Sequence, residues 1–383
     1  MKIAIIVRVL WPGGVQRTAF AEAEGLIKLG NEVDLIFIRK TSRYIYGSSI
    51  PYKIIYDEKV NGRFMGRLLK KITLHYSPQR GNDSVVDLDL IRKFEHSNRD
   101  KYDIVYYFDE FSAFFSKYSK RKKHHKVVVL IHEVASKDGP FLLRFIQKRA
   151  LRNADLILTN TNKNLALLKE ASYNNCFEVY PGLTPQTDIP SFEKRKNIAL
   201  SVTMWDFGRK PEVLIEIGKN LNFGKILICG DWTDYNYMNR LKQQIITEGL
   251  ENKVEITGPI TEEVLLNLYK TSKISIRFGY NEKGPGMGSL ESIAWGLPLI
   301  INNGIGIKEK IVDGKNGVIV NENNAASIAR IIEDFFNDSV KWKEMSTNNI
   351  QLAKELSWDT HNAKLNELMQ GLIKEKGSFK HRF

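Results

Sequence analysis

Short apolar runs recur along this chain, and most are followed by a longer stretch in which apolar residues return every three or four positions. The runs at 2–9, 32–38, 103–108, 127–131, 154–159 and 177–180 read as strands, and the stretches at 15–29, 141–152 and 160–171 as amphipathic helices. The strands are apolar throughout instead of alternating, as parallel strands covered on both faces are. The rhythm then breaks. Pro181, Gly182, Pro185 and Pro190 crowd together before a polar stretch at 191–196, which marks a linker. It restarts with strands predicted at 198–203, 225–230, 254–257, 274–278, 298–301 and 317–320. Helices are expected from Lys210, up to Ile246, up to Thr271, over 325–336 and from 340 to about 374. Two such series predict an α/β protein of two doubly wound, Rossmann-like domains facing a cleft, at 1–185 and 186–357. A terminal helix at about 358–376 is free to pack back on the first domain.

One interruption carries chemistry. Between the strands at 274–278 and 298–301 runs Gly284-Pro285-Gly286-Met287-Gly288-Ser289-Leu290-Glu291, leading into a short predicted helix. Glycines let a backbone approach a ligand closely. A helix start presents unpaired N–H groups and the positive end of a dipole, which suits a phosphate. Glu291 is expected within the first helical turn, where a carboxylate can serve hydroxyls such as those of a ribose. A plain Gly-rich turn with an acid favoured by the dipole has the same pattern, so the segment alone leaves both readings open.

Composition narrows the classes. The 383 residues, 43% hydrophobic and 26% charged, are those of a globular chain with ample core. No apolar run reaches the ~18 residues of a membrane-spanning helix. Residues 1–9 are too short for a signal peptide and read as a first strand. Cys176 and Cys229 lie far apart with no metal-ligand spacing, and are expected to be buried apolar residues in a reducing cytoplasm. The net charge of +13 is uneven: residues 1–185 carry 31 Lys and Arg against 19 Asp and Glu, and residues 186–383 carry 26 against 25. That excess implies an anionic partner for the first domain. Within 63–74, Phe64, Met65, Leu68, Leu69 and Ile72 interleave with Arg63, Arg67, Lys70 and Lys71 at helical spacing. The split into an apolar and a cationic face is that of a helix lying on an anionic membrane surface, and equally that of a helix packed on its own domain. His124 and His125, in a basic turn, are expected at the surface. The charge also admits a nucleic-acid partner, but the basic residues sit among membrane-like apolar ones and the loop at 284–291 would go unexplained. A dehydrogenase is disfavoured, because no Gly-x-Gly-x-x-Gly follows the first strand.

Further landmarks carry a resemblance. They are Gly13-Gly14 after the first strand, His132-Glu133, Asn153-Ala154-Asp155-Leu156-Ile157, Val179-Tyr180-Pro181-Gly182, Val254 to Ile260, and Asp313-Gly314-Lys315-Asn316-Gly317. Together with the 284–291 loop they resemble the retaining glycosyltransferases of the GT-B fold, in the large family four, over nearly the whole chain. The resemblance implies a nucleotide-sugar co-substrate, UDP- or GDP-linked, with no other cofactor and no bound metal. The acceptor would be a lipid-linked or other anionic glycan precursor, on the inner face of the cytoplasmic membrane. It implies that Glu291 takes the ribose, while Gly286, Met287, Gly288, Ser289 and Leu290 line the diphosphate. Gly13 and Gly14 would approach the donor or acceptor from the first domain, and Gly258, Pro259 and Ile260 would border the base. His132, Glu282, Lys210 and Arg209 take the catalytic places. The family's two glutamates are separated by seven residues, and counting back from Glu291 reaches Lys283, with Glu282 one residue away, so either can face the sugar. The arginine the family places after the first strand of its second domain is absent, and Arg209 beside Lys210 is the candidate to replace it. These departures keep open a non-catalytic subunit that retains the fold.

Overall fold

Alternate side chains of each strand enter opposite apolar layers. Ile3, Ile5 and Val7 face one layer of the first core, and Ala4 and Ile6 the other. The computed structural model describes residues 1–10, 13–40, 50–56, 101–110, 112–115, 125–135, 141–280, 282 and 284–374. The chain forms two compact units, Met1–Gly182 with the segment from Trp358 onward, and Leu183–Ser357.

The first unit runs β1 (Lys2–Leu10), α1 (Gly14–Lys28), β2 (Glu32–Lys40), β3 (Tyr52–Tyr56), β4 (Ile104–Tyr107), β5 (Lys126–Ile131), α2 (Phe141–Leu151), β6 (Leu156–Thr159), α3 (Asn162–Glu170) and β7 (Cys176–Glu178). Among the described residues its sheet is all parallel, in the order β3-β2-β1-β4-β5-β6-β7. The edge strand β3 was not expected from sequence. Its five residues alternate, with Tyr52 and Ile54 against one layer and Ile55 against the other.

The second unit runs β8 (Lys196–Val202), α4 (Glu212–Lys219), β9 (Lys225–Cys229), α5 (Tyr235–Thr247), β10 (Val254–Gly258), α6 (Glu262–Thr271), β11 (Ser272–Arg277), α7 (Met287–Ala294), β12 (Leu299–Ile301), β13 (Gly317–Ile319), α8 (Ala325–Asn337) and α9 (Ser339–Glu355). Its sheet, also parallel, has the order β10-β9-β8-β11-β12-β13. In both units the strand order reverses direction between two neighbours, β1 and β4 in the first and β8 and β11 in the second. Such a switch point leaves a crevice beyond the carboxyl ends of the two strands, where open α/β sheets bind ligands.

The stretch at 340–374, read above as helical with a terminal helix from about 358, is two helices. It breaks at Leu356 and Ser357, where the Leu183 amide donates to the Leu356 carbonyl at 2.9 Å and Leu183 bridges Ser357. The last helix, α10 (Trp358–Lys374), belongs to the first unit. Leu365, Met369 and Leu372 complete the layer formed by Ile3, Ile5 and Val7. Polar ties fix its register on α1 and the loops beside it: His361 Nε2 lies 3.0 Å from Glu22 Oε1, its Nδ1 lies 2.7 Å from the Tyr180 carbonyl, and Asn31 Nδ2 donates to Asn366 Oδ1 at 2.9 Å. Gly25 makes the approach feasible, since a Cβ there would stand 2.0 Å from the Asn362 side chain. Both cysteines are buried, and so is His125, contrary to its expected surface position.

Leu365 is fully buried, so Leu365→Ala should cost the first unit about 2–5 kcal/mol. Hydrogen exchange should then speed up for β1 and α1 while β8 to β13 keep their protection. Equal acceleration in both units would contradict this division of the core.

Candidate active site

In the second unit the switch point collects the predicted residues from two loops. After β8 the chain passes Thr203 and Trp205 into a short 3-10 turn, Phe207–Arg209, which Asp206 caps by accepting from the Arg209 amide at 3.0 Å. Lys210 follows in left-handed backbone, φ 44°, a conformation costly for a residue with a Cβ. The sequence predicts a helix from Lys210; both Arg209 and Lys210 precede α4 instead, because Asp206 closes a separate turn before it. Lys210 is exposed, with its Nζ 4.2 Å above the Tyr280 ring. The Tyr280 hydroxyl is buried without a hydrogen-bond partner among the described residues, and burial pushes its pKa up to about 12.

After β11 the loop toward α7 is strapped to the loop after β12. Asn302 bonds both backbone groups of Gly279, each at 2.9 Å. The Glu282 amide donates to the Gly304 carbonyl at 2.9 Å, and the Gly306 amide to that of Gly284 at 3.2 Å. Gly286, at φ 74°, turns the chain into α7. The helix therefore opens at Met287, and the first amides, of Met287 and Gly288, have no acceptor within the helix. Glu291 is the fifth helical residue, in the second turn and not the first, because Gly284–Gly286 is spent on the turn. Its Oε2 accepts from the buried Tyr269 hydroxyl at 2.8 Å. Arg195 ties the same region together from below, donating to the carbonyls of Tyr269, Ser272 and Trp295 at 2.7 to 3.0 Å. Ser289 is buried, and its hydroxyl is without a partner among the described residues.

Glu282 is described and Lys283 lies outside the described residues. Both oxygens of the Glu282 carboxylate accept from one nitrogen of Arg277, Nη2, at 2.7 and 2.9 Å, and the carboxylate lies 3.4 Å from Arg209 Nε. Arg209 also pairs with Asp206 at 2.9 Å. Arg277 was missed by the sequence reading, which followed only the apolar Ile274, Ile276 and Phe278 of its strand. The available signal was a cation in a central strand that is buried on both faces.

Gly258 ends β10 at φ 73°, Pro259 is exposed, and Ile260 packs on the layer of Leu200 and Tyr269. Trp205 and Trp232 stack at 6.0 Å and are core residues, 1% exposed each.

At the first unit's switch point, Gly13 caps α1 in extended backbone and Gly14 is its first residue. Gln16 donates to the Val9 carbonyl at 2.7 Å. Arg63, Arg67, Lys70 and Lys71 lie outside the described residues. His132 follows β5, with Nε2 shut off from solvent and without a hydrogen-bond partner among the described residues. Burial lowers its pKa, opposed by the Asp109 carboxylate, so the neutral ring is favoured. Beyond β4, Asp109 lies 3.7 Å from Arg8, and Gln147 donates to Glu110 at 3.3 Å.

Comparison with known proteins follows the same division. Residues 12–185 match the family described as Glycosyltransferase Family 4, and residues 185–353 that described as Glycosyl transferases group 1. A D-inositol 3-phosphate glycosyltransferase of Corynebacterium aurimucosum is 24% identical over 56% of this chain. The chain spans 56% of that relative's length. An uncharacterized glycosyltransferase of Methanocaldococcus jannaschii is 22% identical over 94% of this chain and 95% of its own. Among solved structures, Anabaena HepE in complex with UDP-glucose superposes with a TM-score of 0.73 at 16% identity, covering 97% of this chain and 100% of that one. Sucrose-phosphate synthase of Thermosynechococcus elongatus reaches 0.74 at 17%, covering 97% and 99%. At these identities the structures establish the GT-B fold of two Rossmann-like domains. Among the described residues, no helix is long and apolar enough to cross a membrane.

Glu110 yields a pH test. Burial, with Asp109 beside it, pushes its carboxyl up to about 7 from an ordinary 4.5. Between those values the folded protein holds a proton that the unfolded chain has lost. The stability it contributes is full below pH 4.5 and is lost as pH rises through about 7. Glu110→Gln should therefore be more stable than the parent at pH 8, by about 1–3 kcal/mol, with the advantage gone below pH 4.5. Denaturant titrations giving a pH-independent difference would contradict this.

Proposed function

Because this chain belongs to the family 4 glycosyltransferases, we propose that it moves a sugar from a UDP- or GDP-linked donor onto an anionic acceptor, with retention of configuration and without a bound metal. The observation that carries this reading is the edge of the second unit, where the amide end of α7, the Arg209 and Lys210 cations and the Glu282 and Glu291 carboxylates surround one switch point. The Met287 and Gly288 amides receive the diphosphate, with Ser289 and Leu290 continuing that turn. Glu291, oriented by Tyr269, accepts from the ribose hydroxyls. Glu282 accepts from hydroxyls of the donor sugar, and the backbone at Gly258, Pro259 and Ile260 borders the base.

As the anomeric bond to the leaving phosphate breaks, negative charge grows on the diphosphate. Lys210, Arg209 and the α7 amides stabilise that charge, and fixed donors of this kind act without reorganisation during the reaction. The uncommon backbone of Lys210 fits a residue held for a ligand instead of for packing. The charge excess of the first 185 residues supports an acceptor with phosphate groups, such as a lipid-linked glycan precursor at an anionic membrane surface. His132, its neutral ring favoured and its enclosed Nε2 without a partner among the described residues, is the first unit's candidate for bonding a sugar hydroxyl that reaches it, with Gly13 and Gly14 at the same edge. The HepE structures carry UDP in their complexes, which supports a uridine diphosphate donor.

A thermal-shift panel of UDP, GDP and their sugar conjugates tests the reading. A donor at about a hundred times its Kd should add about 2.7 kcal/mol of stability. Glu291→Ala should lose most of that gain. Failure of every nucleotide to stabilise the parent protein would overturn the donor site. Turnover with a lipid-linked acceptor, against donor binding alone, separates an enzyme from a binding subunit.

A further inference from the structure

The least expected group at this edge is the guanidinium of Arg277. It ends a central strand, is 4% exposed, and lies behind Glu282. Its Nη2 bonds both oxygens of Glu282 and reaches Thr203 Oγ1 at 3.4 Å. The other cation on Glu282 stands farther from it, its Nη1 donating instead to the Met204 carbonyl and to Asp206 Oδ2. Arg209 meets one oxygen at 3.4 Å, has 28% of its side-chain surface exposed, and divides its charge with Asp206. The network is balanced, with Arg277 and Arg209 against Asp206 and Glu282.

We propose that Arg277 is a positioning residue that pins Glu282 and so releases Arg209 for the donor diphosphate; this rests on the donor reading above. A buried guanidinium needs a carboxylate partner, and here its Nη2 meets both oxygens of Glu282 while Nη1 bonds the Phe278 carbonyl. Arg277 therefore keeps Glu282 in one orientation whether or not Arg209 remains beside it. Arg209, half-buried and at the longer distance, can turn to an incoming anion without leaving Glu282 unpaired. Without Arg277, one guanidinium would face two carboxylates. Arg209 would then be held back, and an unbalanced negative charge would oppose the diphosphate. In this way a cation that does not touch the ligand offsets the missing arginine after β8.

Calorimetric titration of the full chain with UDP and with GDP, at one salt concentration, tests this through a double-mutant cycle of R277M, E282Q and the pair. R277M should weaken nucleotide binding by about tenfold or more. Removing Glu282 as well should recover most of the loss, because the unbalanced carboxylate is then gone. A merely structural role for Arg277 predicts no such rescue. R277K, which keeps one cationic nitrogen for Glu282 but loses the second nitrogen that bonds the Phe278 carbonyl, should fall between the parent and R277M. If R277M does not fold, R277K against the parent and the pair against E282Q give the same comparison. Parent-like binding by R277M, or a double variant as weak as R277M, would overturn the inference alone. A parent protein that binds neither nucleotide would overturn the donor reading and this inference with it.

Discussion

Gly288 lies so close to the end of β8 that a methyl group there would stand 2.4 Å from the Val202 carbonyl oxygen. This close approach seats the start of α7 on the switch point of the second sheet. Gly286 makes it reachable by turning through positive φ, and the ties from Asn302, Gly304 and Gly306 hold the turn from the other side. The first amides of α7, Glu291 one turn on, and its partner Tyr269 all take their positions from this junction. Any larger residue at 288 would force helix and strand apart, since the obstacle is backbone and not the tip of a flexible side chain.

Charge is arranged around the junction with the same economy. The carboxylates of Asp206 and Glu282 are each met by a guanidinium, and Glu282 is met by two. Lys210 lies outside this network, above the Tyr280 ring. The Tyr280 and Ser289 hydroxyls mark the same edge as polar; they are without a partner among the described residues, a state that buried polar groups seldom keep without a purpose.

Much of this was legible in the sequence, for a physical reason. Parallel strands covered on both faces must be apolar throughout, so runs such as 2–9 and 225–230 announce themselves, and Gly and Pro punctuate the turns between them. The site was legible where backbone conformation demanded glycine. It was less so where side chains converge from distant positions. Arg277 hid in an apolar strand because strands are read by their apolar residues. Glu291 was placed one turn too early because nothing in Gly284-Pro285-Gly286 tells where a turn ends and a helix begins. Trp205 and Trp232 sit at strand ends, where a ligand could stack, yet pack on each other in the core. The break between α9 and α10 left no Gly or Pro signal, because it is made by Leu183, far away in sequence, pairing with Ser357.

The central claim is that the amide end of α7 and Glu291 together bind a nucleoside diphosphate. A crystal structure of the protein with UDP or GDP tests it most directly. The account predicts diphosphate oxygens within hydrogen-bonding distance of the Met287 and Gly288 amides, and ribose hydroxyls on the Glu291 carboxylate. A nucleotide bound elsewhere, with those amides unengaged, would contradict it.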